Sequence, residues 1–164
     1  MPEFKVVFRG LFFSKGGKKD WPSDENSYYL YSRGMWALNS AIQALLAYKD
    51  RRKGTVWFPD YFCNEALLPI RQLPIRIDFY PICKNLEPNW EVLEKNVRDS
   101  NLPDIFILVH YFGFQNNSEK ARKFCDRYAI NLIEDGAYVA SSTCDIGRCG
   151  DAVIYKSEEN IRPG

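Results

Sequence analysis

The sequence predicts an α/β fold: a three-layer domain in which a mostly parallel sheet is covered by helices. Three observations carry this. Short apolar runs alternate with segments of helical spacing from Tyr28 to Tyr155, joined by short connections. Ile105-Phe106-Ile107-Leu108-Val109 is apolar without interruption, as a central parallel strand buried on both faces requires. Asp135 follows Leu132-Ile133-Glu134, at the carboxyl end of a predicted strand, where folds of this class place their ligands.

Residues 1–27 are expected to form an N-terminal arm or loop. Phe4 to Phe8 alternates only weakly, and Ser14 to Ser27 is rich in Gly, Lys, Asp and Ser. Residues 28–164 are assigned to the domain. Tyr28 to Tyr31 is strand-like. After Gly34, residues Leu38, Ala41, Ile42, Leu45 and Leu46 recur at helical spacing as far as Lys49. Thr55 to Phe58 is a buried strand closed by Pro59. Asn64 to Gln72 reads as a helix despite Pro69, Ile75 to Tyr80 as a strand, and Trp90 to Val97 as a helix. Asn117 to Tyr128 is helical with Ala121, Phe124, Cys125 and Tyr128 on one face; Asn131 to Glu134 and Ala152 to Tyr155 close the series as strands.

With 46% hydrophobic and 15% aromatic residues, a chain of 164 residues can bury a core of its own. Its 22 basic and 21 acidic side chains leave a net charge of +1, so electrostatics give no reason to expect nucleic acid or a membrane surface as partner. There is no apolar run of the ~20 residues a membrane span needs, and no apolar block with a small-residue cleavage site opens the chain. A cytoplasmic protein is expected. Five cysteines, a single histidine and no CxxC pair argue against a disulfide framework or a zinc site, so no metal is expected.

Four strand-end elements could carry chemistry. Ser32-Arg33-Gly34-Met35 is a strand-to-helix turn: either Gly34 serves only the turn, or the helix amides form an anion site. The aromatics of Phe58-Pro59-Asp60-Tyr61-Phe62-Cys63 either stack on a planar ligand or belong to the core. His110 reads as a structural residue hydrogen-bonded near the site. Asp135 is either paired within the protein or holds a cation.

Taken in order, GMWAL, FPDYFC, VHYFG, LIEDGA and GDAVIY resemble the large domain of the DegT/StrS-type sugar-nucleotide aminotransferases. These are fold-type I enzymes that depend on pyridoxal 5′-phosphate (PLP). The resemblance runs from about Tyr31 to about Tyr155 and covers only the N-terminal part of that domain. It implies that amides at Gly34 and Met35 cradle the cofactor phosphate, although the family usually has a small hydroxyl residue where Met35 stands. It places Cys63 against the cofactor ring, where many relatives carry an aromatic, and Tyr138 at a position often held by glutamine or histidine. Asp135 matches the aspartate that keeps the pyridinium nitrogen protonated. The family then has a phosphate-binding serine and, three residues on, the lysine that bonds covalently to the cofactor. Counted without a gap, those positions hold Lys156 and Glu159. A carboxylate cannot replace the amine, which leaves Lys156 as the candidate in a shifted register.

The resemblance implies transfer of an amino group from glutamate or a similar donor to a nucleotide-linked keto sugar, in sugar-nucleotide metabolism and polysaccharide biosynthesis. The alternative is a truncated, catalytically inactive homologue acting as a binding or assembly module, favoured by Glu159 and by the missing remainder of the large domain and the C-terminal domain. A plain nucleotide-binding domain ranks below both, because no GxGxxG or GxxxxGK[ST] loop is present. An incomplete open sheet exposes an edge and apolar surface, so a homo-oligomer is expected.

Overall fold

The structure, a computed structural model, describes residues 4–8, 28–50, 53–98, 102–140 and 147–156. Its strands are β1 (Phe4–Phe8), β2 (Tyr28–Tyr31), β3 (Thr55–Pro59), β4 (Arg76–Tyr80), β5 (Ile105–Val109), β6 (Asn131–Ala140) and β7 (Ala152–Lys156). Its helices are α1 (Gly34–Tyr48), α2 (Trp90–Arg98) and α3 (Ser118–Tyr128). The strands form one sheet in the order β2-β1-β7-β6-β5-β3-β4. β1 runs antiparallel to both neighbours, β2 and β7. All other pairings are parallel. The fold is a mostly parallel three-layer α/β sheet.

The segment read as an arm thus contributes β1 at Phe4–Phe8, paired on both sides by backbone hydrogen bonds. Its remaining positions, 1–3 and 9–27, lie outside the described residues, as do Ser157 and Glu159. The helix expected over Asn64 to Gln72 is instead two 3-10 turns, Asn64–Leu67 and Ile70–Gln72. Pro69 has no amide to donate and interrupts the ladder between them. β6 is longer than its apolar run. Asp135 and Gly136 are poor strand formers on their own, yet Asp135 is held between Val109 and Ile154, and a register shift lies between Gly136 and Ala140.

Strand alternation divides the core in two. On one face α1 lays Ala37, Leu38, Ala41, Ile42, Leu45 and Leu46 against Phe58, Ile107, Ile133 and Ile154. On the other, Leu93 of α2 and Ala121, Phe124 and Cys125 of α3 pack on Trp57, Phe106, Leu108 and Leu132. Full burial of each large side chain contributes about 1.5–3 kcal/mol. Helix α3 is well delimited. Asn117 caps it by accepting the Lys120 amide at 2.9 Å, and Ala129 ends it in the left-handed region at φ 55°.

Glu134 is fully buried between α3 and the head of β7. Its Oε2 accepts hydrogen bonds from His110 Nε2 (3.0 Å), Ser118 Oγ (2.7 Å) and the Gly147 amide (3.1 Å). Its Oε1 accepts the amides of Cys149 (2.9 Å) and Gly150 (2.6 Å). The Asn116 amide donates to His110 Nδ1 at 3.0 Å, so that nitrogen carries no proton and Nε2–H is the donor to the carboxylate. Burial by itself raises a carboxyl pKa, but the bonds from His110, Ser118 and Gly147 outweigh it and lower Glu134 to about 2. Close approach is built into the sequence: a Cβ at Gly150 would lie 2.6 Å from the Ala152 carbonyl and 3.2 Å from Glu134 Cγ.

Two expectations follow for stability. A carboxyl depressed from about 4.3 in the unfolded chain to about 2 in the folded one stabilises above the unfolded value. That contribution is lost as pH falls from about 5 to 2. Glu134→Gln should cost about 2–4 kcal/mol at pH 7 and should flatten this acid limb, both read from urea unfolding at a series of pH values. Ala129→Gly removes the left-handed penalty at the end of α3 and should stabilise by about 0.5–1 kcal/mol, seen as a higher urea midpoint at an unchanged slope.

Candidate functional site

The order of strands creates a crevice. The connection from β3 to β4 runs over the α1 face, where its Leu67 and Ile70 join the core. The connections through α2 and α3 run over the opposite face. Loops leaving the carboxyl ends of β3 and β5 therefore diverge, and these two strands are neighbours. In open α/β sheets that divergence marks the ligand site.

Two tyrosines flank the opening. Tyr61 follows β3, Tyr111 follows β5, and the Tyr111 hydroxyl donates to the Tyr61 carbonyl at 2.7 Å with the rings 5.6 Å apart. Burial, with Asp60 and Asp135 near by, pushes the Tyr111 phenol well above its ordinary pKa, so it stays a donor. One strand further in, Asp135 has the parity of Ile133 and so belongs to the α1 face, whereas Glu134 belongs to the α3 face. The residue is half-buried, but its carboxyl is enclosed enough that desolvation raises its pKa, with the Ala137 amide (3.0 Å to Oδ1) and the neighbourhood of His110 pulling the other way.

Helix α1 begins at the same edge and on the same face. Arg33 precedes it without a side-chain cap, and the first turn holds no acidic residue. The Arg33 carbonyl takes the amides of Trp36 and Ala37, while the amides of Gly34 and Met35 point out of the helix start, where the positive end of the helix dipole favours an anion.

The structure therefore brings Gly34, Met35, Cys63, Asp135 and Tyr138 to one edge of the sheet. Cys63 is an exposed free thiol at the head of the first 3-10 turn. Tyr138 is 70% exposed with its ring 6.4 Å from that of Phe112. Lys156 is the last residue of β7, its backbone opposite Ala140. His110 is enclosed in the Glu134 network rather than turned to the crevice. Sequence reading passed over Glu134 as part of the LIEDGA motif and missed the backbone of Phe112, which sits in the left-handed region at φ 54°, ψ 27°. The signal for the first was the pairing of the single histidine with two downstream glycines; for the second, Gly113 immediately after an aromatic.

What the arrangement can do is hold a planar cation bearing an anionic tail. A desolvated carboxylate gains from a positive charge, and an uncapped helix start favours an anion. Among the described residues no cluster of metal-ligating side chains exists, and no helix is long and apolar enough to cross a membrane.

No protein-family model matches the chain, nor does any curated protein. Solved structures do. A mutant GDP-4-keto-6-deoxymannose-3-dehydratase, ColD, with bound GDP-perosamine is similar at 27% identity and TM-score 0.56, over 68% of this chain and 30% of its own. A DegT DnrJ EryC1 StrS aminotransferase from Brucella abortus is similar at 20% identity and TM-score 0.51, over 62% of this chain and 29% of its own. BacF from Bacillus subtilis, solved with bound substrate, is similar at 21% identity and TM-score 0.51, over 64% of this chain and 27% of its own. The chain thus spans under a third of the length of each of these proteins, and shares their α/β fold over about two thirds of its own.

One consequence of the site is independent of any ligand. A carboxyl whose pKa is raised by folding opposes folding once pH exceeds its unfolded value. Asp135→Asn should therefore unfold at a higher urea concentration than the parent chain at pH 7, and the gap should close as pH is lowered until Asp135 is protonated. An equal or lower midpoint at pH 7 would contradict the enclosed carboxylate.

Proposed function

We propose that this chain binds PLP and belongs to an aminotransferase of the sugar-nucleotide type, passing an amino group from a donor such as glutamate to a nucleotide-linked keto sugar. The observation that carries the reading is the enclosed carboxylate of Asp135 at the crevice, on the same face and edge as the uncapped start of α1. The similarity to ColD, a nucleotide-sugar enzyme, supports it.

When bound, PLP supplies an electron sink that lets an amino acid give up its amino group. The chain's own residues divide the remaining work. Asp135 holds the proton on the ring nitrogen, gaining the cation that its buried position favours. Gly34 and Met35 offer backbone amides to the phosphate, Met35 without the hydroxyl that would add a further bond. Tyr138, exposed beside Phe112, stands at the position that the resemblance assigns to the cofactor. Cys63 is too small to cover a ring. Lys156 is the candidate amine at the end of β7. The second reading, a binding or assembly module without catalysis, rests on Glu159 occupying the ungapped lysine position.

Titration of the chain with PLP, followed by borohydride reduction and mass spectrometry, separates these. Saturable binding with one reduced attachment at Lys156 supports the transferase. Saturable binding without attachment supports the binding module. No saturable binding refutes the transferase and the binding role, and leaves only the assembly module. Asp135→Asn should weaken binding about tenfold or more, since a charged hydrogen bond is worth ~1.5–3 kcal/mol.

A further inference from the structure

Four described residues other than glycine hold a positive φ: Asp50, Leu86, Phe112 and Ala129. Asp50 and Ala129 follow helix ends, and Leu86 lies in the loop between Cys83 and Glu87. Phe112 is different. It is a bulky aromatic at φ 54°, followed by Gly113 at φ 84°, at the carboxyl end of β5. Its ring is 60% exposed, so burial does not offset the unfavourable backbone. Bracing on both sides does. Before it, the Tyr111 hydroxyl is tied to Tyr61 and the Phe114 amide closes onto the Tyr111 carbonyl at 2.8 Å. After it, Asn116 donates its backbone amide to His110 and its side-chain amide to the carbonyls of Val109 and Leu86, each at 3.0 Å.

The loop that carries the exposed ring is tied to the backbone of the strand that bears Asp135. The His110 amide, two residues before Phe112, donates to the Asp135 carbonyl at 2.9 Å. The Phe112 ring stands 6.4 Å from that of Tyr138, three residues beyond Asp135, and 6.2 Å from that of Tyr111. A strained, braced, exposed aromatic on a loop bonded to the strand of Asp135 is the pattern of a residue retained for a ligand rather than for the fold. Across the crevice, Cys63 offers no ring.

From this we infer that Phe112 is the stacking partner of the cofactor ring, placed by its left-handed backbone against a planar cation whose nitrogen Asp135 holds. The inference rests on the PLP reading above and deepens it: in this chain ring recognition comes from the loop after β5, not from the loop after β3.

The test uses 4′-deoxypyridoxine 5′-phosphate, which has the ring and phosphate but no aldehyde, so attachment to any lysine makes no contribution. Phe112→Gly relieves the backbone and should raise the urea midpoint, while weakening the probe about tenfold or more, in line with loss of one aromatic stacking partner. Phe112→Tyr should keep the affinity within about twofold, because the π face is retained. Phe112→Gly binding as tightly as the parent would overturn the inference and leave the PLP reading standing. So would an affinity loss accompanied by a lower midpoint, or a change only in self-association measured by sedimentation. A parent chain that does not bind the probe overturns both.

Discussion

Glu134 is the constraint from which the rest of the arrangement follows. One buried carboxylate gathers the end of β5 through His110, the start of α3 through Ser118, and the approach to β7 through the amides of Gly147, Cys149 and Gly150. A second clamp closes the same turn from the side: Arg122 reaches the Asp151 carboxylate at 2.9 Å, which also accepts the Leu132 amide at 2.7 Å. Removing water from a carboxylate is costly, and five donors on two oxygens are what make it tolerable. The reward is positional. β6 and β7 are fixed in register beside Asp135.

Two adjacent carboxylates meet opposite fates because a strand alternates its side chains. Glu134 faces α3 and is lowered to about 2 by its hydrogen bonds. Asp135 faces α1, has far fewer donors, and is raised by burial. The first is satisfied by five donors of the protein, whereas the second accepts the Ala137 amide, and the proposed cofactor role of Asp135 rests on that difference. That contrast, more than exposure or charge alone, separates the scaffold residue from the site residue.

Much of the fold was legible in the sequence for a plain reason: buried parallel strands are runs of apolar residues, and Ile105–Val109 is unambiguous. Helices α1 and α3 were legible from periodicity. What was hidden was not local. Phe4–Phe8 has little pattern of its own, and its place in the sheet depends on pairing with β7. Residues 64–72 carry helix-forming composition that one proline breaks. At the site, Asp135 was visible as a carboxylate after an apolar run, but its enclosure, the five donors on Glu134 and the backbone of Phe112 are products of tertiary packing, for which one sequence carries only faint signals.

β1 has a consequence in time. Among the described residues it is the strand that joins β2 to the rest of the sheet, and its other partner, β7, begins at Ala152. During synthesis the first strand must wait until β7, from Ala152 onward, has emerged before its second edge is occupied. Long-range antiparallel closure of this kind slows folding and leaves strand edges open meanwhile. On the ribosome, therefore, β3 to β6 can assemble as they emerge, while β1 docks between β2 and β7 only after β7 has arrived.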